Sequence, residues 1–154
     1  MRFWAISVLV SILVIFIVFG CNSVKKVELS QVSAPARAEI EKLTAGGEIR
    51  MIEKETSNGR IIYDVEAYVN GKDVEYDIAD NGEVLTSEES IPYETLPSAV
   101  KQAAEKYFGS SEDLSASTGL EKDHKYYEVE GKKNGEAMSI SLDDTGKILE
   151  EEKD

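Results

Sequence analysis

Two stretches of this chain carry one pattern, and any fold must accommodate both. Tyr63 to Leu85 and Tyr127 to Leu149 align without a gap at an offset of 64 residues. Tyr63, Val65, Val74, Tyr76, Ile78 and Leu85 answer to Tyr127, Val129, Met138, Ile140, Leu142 and Leu149. Asn70-Gly71 answers to Asn134-Gly135, and Asp80 and Gly82 to Asp144 and Gly146. A repeated order of apolar and turn residues means that one structural unit is built twice.

The pattern inside the unit is that of strands. Ile61, Tyr63, Val65, Ala67 and Val69 alternate with Ile62, Asp64, Glu66 and Tyr68, as expected of an antiparallel strand with one face buried. Asn-Gly between two such runs is a strong hairpin signal. Val74, Tyr76 and Ile78 alternate again, Asp80-Asn-Gly82 turns the chain, and Val84-Leu85 opens another strand. Residues 48–56 and 112–119 are expected to be the first strand of each copy. A short helix precedes each set. Pro35 and Pro97 suit a first helical turn, with Ser33 and Thr95 available as caps. Val100, Ala103, Ala104 and Tyr107 recur at helical spacing, and Gly109 suits the stop. Ala36, Ile40 and Leu43 form a thinner stripe in the first helix. At the offset of 64 they match Val100, Ala104 and Tyr107, whereas the prolines match at 62, which leaves the helix register open.

The expected fold class is therefore α+β: two tandem α-β-β-β-β repeats, antiparallel, with the helices on one face. About 60 residues is marginal for an independent core. The copies are expected to associate, either edge to edge in one sheet or across a hinge. The expected organisation is a leader over 1–20, a lipidated cysteine and tether over 21–33, and repeats over 34–90 and 91–154.

The leader runs from Phe3 to Phe19 and is apolar apart from Ser7 and Ser11, with Arg2 in front. Val18-Phe19-Gly20-Cys21 follows the order of a bacterial lipobox: an aliphatic residue, a variable one, a small one, then cysteine. Cys21 is the only cysteine of the chain, so neither an internal disulfide nor a cysteine-rich zinc site is available. Acylation at Cys21 with two or more chains would anchor the body stably. An uncleaved signal anchor is the alternative. Asn22 in place of Asp favours the outer membrane if the host has one. Residues 22–33 read as a tether, which fully extended would reach at most ~40 Å.

The residues of the body then resemble a family. Leu96-Pro-Ser-Ala-Val100, Tyr127-Glu-Val-Glu130, the Asn-Gly turns, and the closing segments Asp80-Asn-Gly-Glu-Val-Leu85 and Asp144-Thr-Gly-Lys-Ile-Leu149 are similar to tandem PepSY-like domains. That group includes domains likened to the β-lactamase inhibitory protein. The resemblance spans residues 34–152. It implies a secreted or lipid-anchored protein that restrains a peptidase or another enzyme. It carries over no catalytic residue.

Little in the chain suggests catalysis. No Ser/His/Asp or Cys/His set stands out, and His124, the sole histidine, sits in a charged stretch. No glycine-rich phosphate loop occurs. A net charge of −13 disfavours nucleic acid as a partner. Calcium deserves weighing at Asp80-Asn-Gly82 and Asp143-Asp-Thr-Gly146. The alternation of oxygen ligands fails at Ala79, however, and turn chemistry accounts for these residues. No cofactor and no metal site are expected.

The alternation that turns Tyr63, Val65 and Ala67 inward turns Ile62, Asp64, Glu66 and Tyr68 outward. In the second copy it turns Tyr126, Glu128 and Glu130 outward. Tyrosines among carboxylates suit a protein or peptide interface, and a solvated face with cross-strand aromatic packing is the simpler alternative. The expected function is a lipid-anchored envelope binding module without catalytic activity, which occludes an enzyme or peptide through this face. The alternative is an envelope sensor or calcium-responsive module.

Overall fold

A computed structural model describes residues 23–57 and 59–153. The leader, Cys21 and Asn22 lie outside the described residues. The described chain forms one antiparallel sheet of nine strands in sequential order. In chain order they are β1 (Ser23–Lys26), β2 (Glu48–Ser57), β3 (Arg60–Val69), β4 (Lys72–Ala79), β5 (Val84–Ser90), β6 (Ser115–Glu121), β7 (His124–Lys133), β8 (Glu136–Leu142) and β9 (Ile148–Lys153). Helix α1 (Ala34–Leu43) lies between β1 and β2, and α2 (Ser98–Phe108) between β5 and β6.

Each repeat is thus α-β-β-β-β, and the two join as one sheet. Strand β3 carries the alternation expected of it: Tyr63, Val65 and Ala67 are buried. Asn70 and Asn134 adopt positive φ before Gly71 and Gly135, also at positive φ, as two-residue hairpin turns require. A separate core lies under each helix, and Ala67, Val69 and Val74 form a smaller third cluster. Ala36 and Ile40 of α1 pack on Ile52, Tyr63, Val65 and Ile78. Val100 and Ala104 of α2 pack on Ala116, Val129, Ile140 and Leu142.

The offset of 64 holds through the helices, which settles their register. Ala36 and Ile40 are fully buried, as are Val100 and Ala104. Gly82 and Gly146 close the matching turns at positive φ, each against the start of a helix. A Cβ on Gly82 would lie 3.0 Å from the Pro35 carbonyl oxygen, and one on Gly146 2.5 Å from that of Ala99. Pro35 and Pro97 are therefore not equivalent: Pro35 lies in the first turn of α1, whereas Pro97 is the N-cap of α2. The expected caps are also corrected. Neither helix has a side-chain cap. Ser33 Oγ donates to the Asp80 carbonyl instead, and Thr95 Oγ1 to that of Pro92. Gly109 ends α2 in the left-handed conformation as expected.

The tether expected over 22–33 does not hold from Ser23 onward. Ser23–Lys26 pair with β2, Leu29–Gln31 make a 3-10 turn, and Val27 and Val32 are buried in the first core. The same arrangement recurs 64 residues later. Val27 N donates to Ile52 O and Ile91 N to Ala116 O, and a second 3-10 turn spans Tyr93–Thr95. Strand β5 therefore plays two parts. Its start matches β9 and its end matches β1, so it closes the first repeat and opens the second.

Candidate functional site: the open acidic face

The pleat sends alternate residues of every strand to the face without helices. Register then decides which of them meet. One line across the sheet runs Met51, Glu66, Glu75, Glu88, Gly119, Tyr126 from β2 to β7. Another runs Lys26, Glu53, Asp64, Asp77, Thr86, Glu121, His124 from β1 to β7. Carboxyls thus stand directly opposite one another on neighbouring strands, where Cβ atoms are about 5 Å apart and like charges repel.

All seven residues expected on this face lie on it, in two groups. Ile62, Asp64, Glu66 and Tyr68 are on β3, and Tyr126, Glu128 and Glu130 are on β7. Three strands separate the groups. The residues that bridge them were not singled out from sequence: Glu75 and Asp77 on β4, Thr86 and Glu88 on β5, and Ser117 on β6. Their outward alternation was visible on β4, but their convergence depends on lateral register across four strands.

Most of this face is less solvated than a charged surface suggests. Glu66 is 7% exposed and Glu128 2%, whereas Tyr68 is 41% exposed. The Arg50 guanidinium lies 5.1 Å from the Tyr68 ring centre and pairs with Asp73. Tyr126 lies across Gly119: a Cβ there would sit 2.1 Å from the Tyr126 ring carbon Cζ. The missing side chain lets the ring reach β5, where its hydroxyl donates to Glu88 Oε2 at 2.9 Å. Ser117 Oγ donates to Glu88 Oε1 at 2.6 Å, and Thr86 Oγ1 to Asp77 Oδ2 at 2.7 Å. Asp64 Oδ1 is buried without a hydrogen-bond partner among the described residues.

These surroundings favour neutral carboxyls. Burial, then the charges of Asp64, Glu88, Asp77 and Glu66, pushes Glu75 up to about 10. Burial, then Asp77, Glu66, Glu53 and Glu55, pushes Asp64 up to about 7. Burial also raises Asp77, against the Thr86 hydrogen bond, and raises Glu88 against those from Ser117 and Tyr126. The Tyr126 phenol is raised by burial and by Glu88. Glu75, at the centre of the face, is thus the carboxyl these surroundings push furthest towards the protonated form, with Asp64, Asp77 and Glu88 raised around it.

The turns weighed for calcium use their oxygens locally. Asp143 Oδ1 accepts from Thr145 N, Thr145 Oγ1 and Lys147 N, which holds its carboxyl below the usual range. Asp80 Oδ1 accepts from the Tyr63 hydroxyl. Among the described residues no group of three or more His, Cys, Asp or Glu side chains is placed to hold a metal ion.

No family model matches the chain, and no curated protein matches it. Solved structures do. A proposed periplasmic protein of Bacteroides eggerthii superposes with a TM-score of 0.59 at 14% identity, covering 79% of this chain and 88% of that one. A BLIP-like protein of Bacteroides fragilis gives 0.55 at 17% identity, covering 79% and 86%. A DUF2874 family protein of Bacteroides uniformis gives 0.55 at 15% identity, covering 79% and 89%. The likeness is one of fold. It agrees with the sequence resemblance in pointing to a BLIP-like arrangement.

Proposed function

We propose that this protein is a lipid-anchored, extracytoplasmic binding module that engages a protein or peptide of the cell envelope through the open sheet face. The observation that carries the reading is the face itself: nine strands wide, acidic, tyrosine-bearing and free of helix. Tyr68 supplies an exposed aromatic body with Arg50 against it, on the border of the carboxyl rows. Such a surface suits a partner that presents basic and apolar groups. Binding there would occlude an enzyme or peptide without any chemistry by this chain. The fold likeness to a BLIP-like protein supports this mode of action, and Gly20-Cys21 supports the anchor and, with Asn22, an outer-membrane address in a host that has one.

The test is cross-linking and capture from intact envelopes with the lipidated protein. Tyr68→Ala should weaken capture at least tenfold, since a tyrosine that anchors an interface contributes about 2 kcal/mol or more. Glu105→Ala, on the solvent side of α2, should leave it intact. Loss with the helix variant and retention with Tyr68→Ala would overturn the assignment. For the anchor, Cys21→Ser should abolish lipid labelling, and an intact mass that retains residues 1–20 would contradict it.

A further inference from the structure

The two repeats have separate cores, and the main-chain ladder that joins them passes through β5. Side-chain support at that joint is polar: Lys72 pairs with Glu89, Thr86 donates to Asp77, and Ser117 and Tyr126 donate to Glu88. On the helix side a groove of about 260 Å³ lies over it, lined by Val74, Tyr76, Ser87, Thr118, Leu120 and Lys125 among others. On the open side, Glu66, Glu75 and Glu88 stand in one line across β3, β4 and β5, with Asp64 opposite Asp77 in the next. Facing these from the neighbouring strands are Glu53 and Glu55 of β2, Glu121 of β6, and Tyr126 and Glu128 of β7. The basic side chains of this face, Lys26, Arg50, Arg60 and Lys132, stand at its rim, as does His124.

We propose that the two carboxyl lines are a proton-held clasp over β3, β4 and β5, which ties the shared strand β5 to the first repeat through Glu75 and Glu88. While Glu75 and Asp64 keep their protons, each can donate to a neighbouring carboxyl, and β3, β4 and β5 lie side by side without like-charge repulsion. Loss of the protons loosens the joint and turns the middle of the face into a dense anionic patch. The proton is thus a regulator of the surface proposed above to bind, and only this consequence rests on that reading. A cationic partner prefers the ionised face, so its docking expels protons and strengthens as pH rises through the range where Asp64 titrates.

The protein alone tests the clasp. Carbon-13 shifts of the Glu75 and Asp64 carboxyls, followed by NMR against pH, should titrate well above the ordinary carboxylate range. Amides of β4 and β5, corrected for intrinsic exchange, should exchange about tenfold faster at pH ~8.5 than at pH ~5.5, while those of β8 keep their protection. Glu75→Gln keeps a donor and removes the titration, so it should flatten this dependence. Glu89→Gln, on the helix face of β5, should not. Titration of Glu75 near 4.5, or exchange at β4–β5 indifferent to pH, would overturn the clasp. If Glu75→Gln fails to fold, the wild-type titration decides alone. Failure here would leave the capture result for Tyr68→Ala standing, and failure of capture would leave the titration standing.

Discussion

Tyr126 shows how register changes the meaning of a residue. Alternation places it outward, and from that alone its truncation would affect a partner and not the fold. Its ring instead covers Gly119 and its hydroxyl satisfies Glu88. Tyr126→Ala should therefore destabilise the protein by about 2 kcal/mol, and Tyr126→Phe by about 1 kcal/mol, because the half-buried Glu88 loses a donor. Urea unfolding checks both, and a Tyr126→Ala midpoint equal to wild type would contradict the placement. Tyr68, by contrast, is exposed, so Tyr68→Ala should leave stability within about 0.5 kcal/mol. Val129 was legible from sequence as a core residue and is fully buried. Val129→Asp should cost more than about 3 kcal/mol, since it buries an unpaired charge.

At the scale of elements, the legible parts were those governed by local pattern. The alternation of β3 and β7 and the Asn-Gly turns followed from side-chain period and backbone strain alone. The first strand and the 3-10 turn before α1 were missed, because Ser23–Lys26 is short, exposed and charged. A signal existed nonetheless: Val27, Leu29 and Val32 match Ile91, Tyr93 and Leu96 at the same offset of 64. Val32→Asp should accordingly destabilise the first core by several kcal/mol, an effect that no tether residue would show. The turn against each helix start is another shared device. Gly146→Ala should cost about 2 kcal/mol, because its φ is positive and a Cβ would press on the Ala99 carbonyl. Thermal unfolding that leaves Gly146→Ala unchanged would mean that α2 does not depend on this close approach.

At the scale of the molecule, the sequence left open whether the repeats shared a sheet, and the structure resolves this through the double role of β5. That sharing is what brings Glu66, Glu75 and Glu88 into one line, and no single-strand pattern could have shown it. The consequence is a protein whose stability should fall as pH rises. A carboxyl raised in the folded state contributes stability that is fully present below its unfolded value and is lost as pH rises through its folded value. For Asp64 that window runs from about 4 to about 7, and for Glu75 from about 4.5 to about 10. Asp143, lowered by its turn, acts in the opposite direction but is fully exposed. The most direct measurement is the urea midpoint of wild type and Glu75→Gln between pH ~5 and pH ~8, at a salt concentration high enough to screen the net charge of −13. The wild-type midpoint should fall steadily across this range, and that of Glu75→Gln should fall much less. A wild-type midpoint that rises with pH, or a variant that follows the wild-type slope, would contradict a proton-holding acidic face.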